Sequence, residues 1–286
     1  MNYRHIYHAG NFADVVKHIV LARTIDYLKR KPGAFRVIDT HAGIGVYDLS
    51  SEEAQKTGEW KDGIGRLLDA DLPDDAAALI APYLDAVRAA NTAGGITAYP
   101  GSPAITHHLL RNQDRLTAIE LHPADAETLK KRFAGDFQTR VIELDGWLAL
   151  GAHLPPKEKR GLVIVDPPFE REGEFDRLID GLVKAYKRWP GGTNLMWYPV
   201  KNRKAVAAFR DTLREAGIAK IFDLSLDIRA PSVPERLDGT GLVVVNPPYP
   251  LEAEMKIVLP VLARLLGDGK DATWRAEWLA GERPAS

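Results

Sequence analysis

The sequence predicts an α/β fold, a mostly parallel sheet of about seven strands with a helical insertion at residues 48–100. Three observations predict it. From Arg115 onward, short apolar runs alternate with stretches of helical periodicity, the pattern of strands joined by crossover helices. One run, Gly161-Leu162-Val163-Ile164-Val165, is apolar throughout, as a strand buried on both faces must be. Residues 52–92 break the alternation, being acidic, alanine-rich and helical in pattern. A chain of 286 residues, 45% hydrophobic and 27% charged, can bury a full core. No repeat or low-complexity linker divides it, so residues 1–286 are expected to form one domain.

Each element follows in order. Asn11 is placed to cap a helix over residues 12–30, which Pro32-Gly33 stops. A strand over 35–40 runs straight into the glycine turn His41-Ala42-Gly43-Ile44-Gly45. After the insertion, Tyr99-Pro100-Gly101 breaks the chain, and Ser102-Pro103 carries the signature of an N-cap followed by a first-turn proline, opening a helix to about residue 112. Strands are then expected at 115–120, 139–144, 161–166, 193–198, 218–228 and 240–246, with helices at 124–133, 173–188 and 201–216.

Composition excludes several classes. The absence of cysteine removes disulfides, thiolate metal sites and cysteine nucleophiles, and fits a reducing compartment. No run of about 18 apolar residues is present, and the N-terminus opens on polar and aromatic residues, so a cytoplasmic protein without membrane association is expected. The net charge of −1 hides local excursions. Residues 1–36 hold seven Lys and Arg against Asp14 and Asp26, whereas residues 52–85 hold nine acids against three bases and are expected to face away from any polyanion. Residues 181–210 carry seven bases, no acid, and Tyr186, Trp189, Trp197 and Tyr198, the footprint of an RNA-binding surface.

The chemistry gathers at strand ends. The glycine turn after the first strand lets a nucleotide-bearing ligand approach the main chain, but Gly43-Ile44-Gly45 lacks the third glycine of a dinucleotide fingerprint. Glu120, ending its strand, can accept both hydroxyls of a ribose. Asp145-Gly146 sets a carboxylate where an exocyclic adenine amine could sit, the glycine admitting the ring. Asp166-Pro167-Pro168-Phe169 is the sharpest signal. Two prolines stiffen the turn, so the Asp166 carboxylate and the Pro167 carbonyl can accept both N–H bonds of one exocyclic amine while Phe169 stacks on its ring. Holding both N–H bonds turns the nitrogen lone pair toward an electrophile, and positioning at about 3–3.5 Å completes the reaction geometry. A second motif, Asn246-Pro247-Pro248-Tyr249, competes for the role; too little chain follows it, so Asn246 is read as a structural strand end.

These residues resemble the class I S-adenosylmethionine-dependent methyltransferases, and more closely the bacterial large-subunit ribosomal RNA adenine-N6 methyltransferase family called RlmJ. The resemblance runs through Tyr3-Arg4-His5, His8-Ala9-Gly10-Asn11, Asp14, Lys17-His18, Asp39-Thr40-His41-Ala42-Gly43, Tyr99-Pro100-Gly101-Ser102-Pro103, Glu120-Leu121-His122-Pro123, Asp166-Pro167-Pro168 and Trp197-Tyr198-Pro199. It implies a Rossmann-like class I methyltransferase fold whose last strand is antiparallel. It implies S-adenosylmethionine as methyl donor, contacted by His18, His41, Ser102, Glu120, Asp145, Gly146 and Asp166, with Asp166 catalytic and no metal. Tyr3 would meet the target adenosine, Lys17 would sit beside donor and substrate, and Pro167 and Phe169 would hold the base. The partner implied is 23S ribosomal RNA, free or incompletely assembled, acted on by a monomer. One departure is Phe169, where the family usually has Tyr; the stacking face is kept and the hydroxyl lost.

Four rival readings stand beside it. A DNA adenine or protein glutamine amino-methyltransferase uses the same Pro-Pro geometry. A non-catalytic RNA-binding protein could keep the fold, and a nicotinamide oxidoreductase would need tight NAD binding. Four histidines, His5, His8, His18 and His41, suggest a metal site, but no acidic partner completes one at zinc-like spacing, and hydrogen-bonded histidines lining a pocket account for them.

Overall fold

The computed structural model describes residues 4–92 and 94–282. Its central sheet is built from β1 (Arg36–Asp39), β4 (Arg115–Glu120), β5 (Thr139–Glu143), β6 (Gly161–Val165), β7 (Thr193–Val200), β8 (Ile221–Asp227), β9 (Gly239–Val245) and β10 (Thr273–Ala280). The spatial order is β10-β8-β9-β7-β6-β1-β4-β5. Strands β5, β4, β1, β6 and β7 run parallel, while β9 lies between β7 and β8 and is antiparallel to both. The seven expected strands are all present, the last of them antiparallel, in a Rossmann-like order. An eighth, β10, adds antiparallel to β8 at the edge.

Side-chain alternation divides the core between the two faces of the sheet. On β6, Leu162 and Ile164 pack into one apolar cluster and Val163 and Val165 into the other, which is why the run is apolar without a break. The first cluster takes in α1 (Phe12–Lys29), α4 (Asp74–Ala89), α5 (Ser102–Leu109) and α10 (Leu251–Leu266). The second takes in α7 (Gly146–Ala152), α8 (Glu174–Arg188) and α9 (Arg203–Glu215). The remaining helix of a crossover, α6 (Pro123–Arg132), joins β4 to β5.

Between β1 and α5 the chain pairs β2 (Val46–Asp48) antiparallel with β3 (Ala98–Pro100). The stretch between them holds α2 (Glu52–Thr57), a π-helical turn over Lys61–Gly65, α3 (Arg66–Leu68) and α4. Asn11 caps α1 as expected, its side chain accepting from the amides of Ala13 and Asp14 at 3.0 Å each. Ser102 does not cap α5. Gly101 holds that position and Ser102 is already helical, its side chain hydrogen-bonded to Asp39 and the residue lining the cavity described next.

Candidate active site

Strand β1 has β6 on one side and β4 on the other, so its crossover connections leave in opposite directions and open a crevice beyond the carboxyl ends. A cavity of about 330 Å³ lies there. His18 and Lys17 enter it from α1, His41 and Gly43 from the turn after β1, Ser102 from α5, Glu120 from the end of β4, Asp145 and Gly146 from the start of α7, and Asp166 from the end of β6. Every donor-contacting position expected from the sequence therefore lines one space. Tyr3 lies outside the described residues.

Local geometry explains each placement. Gly43 takes a left-handed φ of +60°, and a Cβ there would come within 2.1 Å of the Tyr47 hydroxyl, so the turn demands glycine. Its amide donates to Glu120 Oε2 at 2.8 Å while the His122 amide donates to Oε1 at 2.8 Å, fixing the carboxylate with lone pairs to spare. Burial raises the Glu120 pKa. Asp145 Oδ1 caps α7 by accepting from the Trp147 amide at 3.0 Å, and Oδ2 lies 3.7 Å from an Arg177 nitrogen. Gly146 differs from the sequence reading in its reason. A Cβ on it would meet the Thr40 carbonyl oxygen at 2.1 Å, so glycine is required where α7 starts against the end of β1, and it also lines the cavity.

Two buried histidines of this wall, His18 and His41, are held neutral. Burial pushes the His18 imidazole down to about 3, and its Nδ1 lies 2.7 Å from the Tyr99 hydroxyl. Burial pushes His41 down to about 4; its Nδ1 is 2.8 Å from Thr40 Oγ1 and its ring meets Trp147 edge-on at 5.5 Å. His5 lies 2.9 Å from Asp14, and His8 3.0 Å from Glu59. Among the described residues, no group of three or more His, Cys, Asp or Glu side chains is placed to hold a metal ion.

Charge is concentrated on the cavity floor. Lys17, buried in α1, donates to Asp14 Oδ1 at 2.7 Å and is also ion-paired with Asp166 Oδ2. Burial alone would lower the Lys17 pKa, but the Asp14 and Asp166 carboxylates outweigh it and raise it. Burial opposes ionisation of Asp14 as well, yet the charges of His5 and Lys17 hold it well below the usual carboxylate range. Lys17 is thus a fixed cation that orients Asp166.

A second cavity, of about 600 Å³, shares His5, Lys17, Asp166 and Pro168 with the first. Phe169 and Trp197 line it, their rings 5.7 Å apart and nearly perpendicular. Pro168 lines both cavities, whereas Pro167 is buried and lines neither, because successive residues of the extended turn face opposite ways. Asn246 is remote from both. Since β9 is antiparallel, its carboxyl end lies beside the amino end of β7, opposite the cavities, where the Asn246 amide donates to the carbonyls of Pro190 and Gly192 at 2.7 and 2.9 Å.

Two expectations about charge need correction. The 181–210 run does not form one basic-aromatic surface: Trp189 and Tyr198 are core residues, and Arg210 is buried with Nε 2.8 Å from Asp223. Only Trp197, Pro199 and Lys201 reach the second cavity, because alternate β7 side chains serve opposite faces. Nor does the acidic stretch face wholly away. Glu59 and Asp62 line the second cavity, their charges met by His8, Asn11 and Arg66. The sequence reading also missed Asp14 as the partner of Lys17, for which the i,i+3 spacing on α1 was the available signal. It gave no part to Arg229 and Arg236, which carried no sequence signal.

With this geometry in place, comparison with known proteins is informative. The family model described as "Ribosomal RNA large subunit methyltransferase D, RlmJ" matches residues 32–280, most of the chain. The chain belongs to this family. It is 42% identical over 284 residues to "Ribosomal RNA large subunit methyltransferase J" of Haemophilus influenzae, covering 99% of this chain and 100% of that one. The protein of the same name from Escherichia coli is 39% identical over 282 residues, again covering 99% and 100%. Among solved structures, protein LPL1258 of Legionella pneumophila superposes with a TM-score of 0.86 at 36% identity, over 95% of this chain and 98% of that one. The sequence resemblance to the RlmJ family is therefore correct, and the family's fold extends to β10.

Proposed function

We propose that this protein transfers the methyl group of S-adenosylmethionine to the exocyclic N6 amine of a specific adenine in 23S ribosomal RNA. The observation that carries the reading is the meeting of two cavities at one carboxylate, Asp166, ion-paired to a buried lysine. The first cavity has the size and mixed lining of a small-ligand site, and its donor set suits this methyl donor. Glu120 is a fixed acceptor for ribose hydroxyls, Asp145 keeps Oδ2 for an adenine amine, and His18, His41, Ser102 and Gly146 complete the wall as neutral contacts. When bound, S-adenosylmethionine supplies an electrophilic sulfonium methyl.

The chain's own residues do the positioning. Lys17 pairs with one carboxylate oxygen of Asp166, leaving the other for the target amine. Asp166 accepts an N–H bond of that amine and takes the proton the nitrogen sheds after alkylation, while Pro167, which lines neither cavity, stiffens the turn that carries it. Phe169, with Tyr3, supplies stacking for the base. The adenine must leave its stack to reach this depth, at a cost of a few kcal/mol that is smaller in exposed RNA. Free or incompletely assembled RNA is accordingly the proposed substrate, acted on by a cytoplasmic monomer whose single domain, residues 1–286, carries the 48–100 helical insertion.

The test is methyl transfer from labelled S-adenosylmethionine to protein-free, unmodified 23S RNA, with assembled large subunits and DNA alongside, read by nucleoside mass spectrometry. N6-methyladenosine in the free RNA is expected. Asp166→Asn should lower turnover by roughly 10²–10⁴-fold while donor binding persists, and Asn246→Ala should turn over like the parent. Transfer only to DNA, or full turnover by Asp166→Asn, overturns the reading.

A further inference from the structure

The loop joining β8 to β9, residues 228–238, borders the second cavity through Arg229, Glu235, Arg236 and Leu237. Its tip is Val233-Pro234. The Val233 side chain is 98% exposed, the most exposed of the large apolar side chains among the described residues. At that exposure Val233 buries no apolar surface within the fold and is open to a partner.

The loop is also braced. Asp238, 1% exposed, accepts from the Ser232 amide at 2.7 Å and the Ser232 hydroxyl at 2.6 Å. Arg236 Nε donates to the same hydroxyl at 2.9 Å. Arg229 is held by Asp268 at 3.1 Å, and the Asn202 amide donates to Glu235 at 2.8 Å. The bracing lies on both sides of the tip and leaves the tip itself bare. A stiff loop with an apolar point, two arginines at its base and a cavity of about 600 Å³ beside it has the parts of a wedge for nucleic acid.

We infer that Val233, backed by Pro234, enters the gap left in the RNA stack when the target adenine is extruded into the second cavity, with Arg229 and Arg236 meeting the flanking phosphates. This rests on the proposed reading that the acceptor is an adenine in RNA. An extruded base leaves its neighbours unstacked, and an apolar plug keeps the gap dry and slows the base's return. The wedge matters only where there is a stack to open. Its contribution should therefore vanish on RNA whose adenine is already unstacked.

The experiment compares wild type, Val233→Ser and Val233→Leu on two RNAs, a hairpin with the adenine stacked in its stem and a short unstructured oligonucleotide of the same local sequence. The hairpin-to-oligonucleotide ratio of kcat/KM should fall roughly tenfold in Val233→Ser, the order expected for one lost stacking contact, and return in Val233→Leu. In parallel, 2-aminopurine replaces the target adenine in the hairpin. Its fluorescence should rise on binding wild type and Val233→Leu and rise much less with Val233→Ser. An unchanged ratio, or equal fluorescence with all three proteins, overturns the wedge. Since 2-aminopurine reports extrusion without methylation, a Val233-dependent rise with no N6-methyl product from the adenine-bearing RNAs would refute the proposed reaction and leave the wedge standing.

Discussion

Lys17 shows how much of the site depends on single residues. It is buried between two carboxylates, and the second of them, Asp166, stands 149 positions away in sequence. Asp166 itself was legible because a fully apolar strand delivers it into a rigid Pro-Pro turn. Its pairing with Lys17 was not, because only the fold brings α1 under the end of β6. Asp39, at the end of β1, offers a test of the same buried electrostatics. Burial pushes its carboxyl up from 3.8 to about 7. Between those values the folded chain holds a proton that the unfolded chain has released, so raising the pH through this window subtracts stability, and the loss is complete above pH 7. Asp39→Asn keeps the acceptor for the His41 amide and cannot ionise. Its melting temperature relative to wild type should therefore rise between pH 5 and pH 8, by the equivalent of about 2–4 kcal/mol. A difference that stays constant with pH in thermal unfolding would show that Asp39 ionises without penalty.

At the scale of elements, what was legible followed from periodicity and caps. The seven expected strands are found, each within a few residues of its expected ends. Missed were β10, α10, α7 and the β2–β3 pair. Strand β10, Thr273–Ala280, lies at the sheet edge with most side chains exposed or half-exposed, so it never shows an apolar run. Helix α10 carries Pro260 within it, which reads as a breaker until packing on α1 and β8 overrides it. The strands β2 and β3 have three residues each and pair across the 49 residues 49–97, beyond the reach of any local pattern. Asn11 was legible, and it does two jobs. Its Oδ1 caps α1 while its Nδ2 donates to Glu59 at 2.9 Å, tying the start of α1 to the helical stretch between β2 and β3. Asn11→Ala should cost about 1–2 kcal/mol, and a fall in melting temperature of roughly 2–8 °C. Asn11→Ser keeps a capping oxygen and should recover most of that loss. Equal losses in the two variants would assign the stability to the Glu59 bond instead of the cap.

Across the whole molecule, charge sorts by where the chain folds and not by where it runs in sequence. Glu59 and Asp62, the acids of the 52–85 stretch that line the second cavity, are met by His8, Asn11 and Arg66. Arg203, from the basic run, is spent on Asp227 at 3.0 Å, and Arg210 on Asp223. That leaves Lys201, from the basic run itself, and Arg236, from the loop before β9 and 3.8 Å from Asp238, as cations on the rim of the second cavity. If RNA lies across this rim, each contact releases counterions, and the logarithm of affinity should fall with the logarithm of salt concentration by about 0.7 per phosphate met on a single strand. Lys201→Ala and Arg236→Ala should each flatten that slope by about this amount, and together by about twice as much. Arg203→Ala should change it little, since its charge is already paired, and Lys256→Ala, on α10 beside Glu252, should leave it unchanged. Titrating a fluorescent RNA over a salt series separates these outcomes. A slope that ignores Lys201 and Arg236 but responds to Lys256 would put the RNA over α10, where no strand end presents a carboxylate, and would detach RNA binding from the cavity that Asp166 serves.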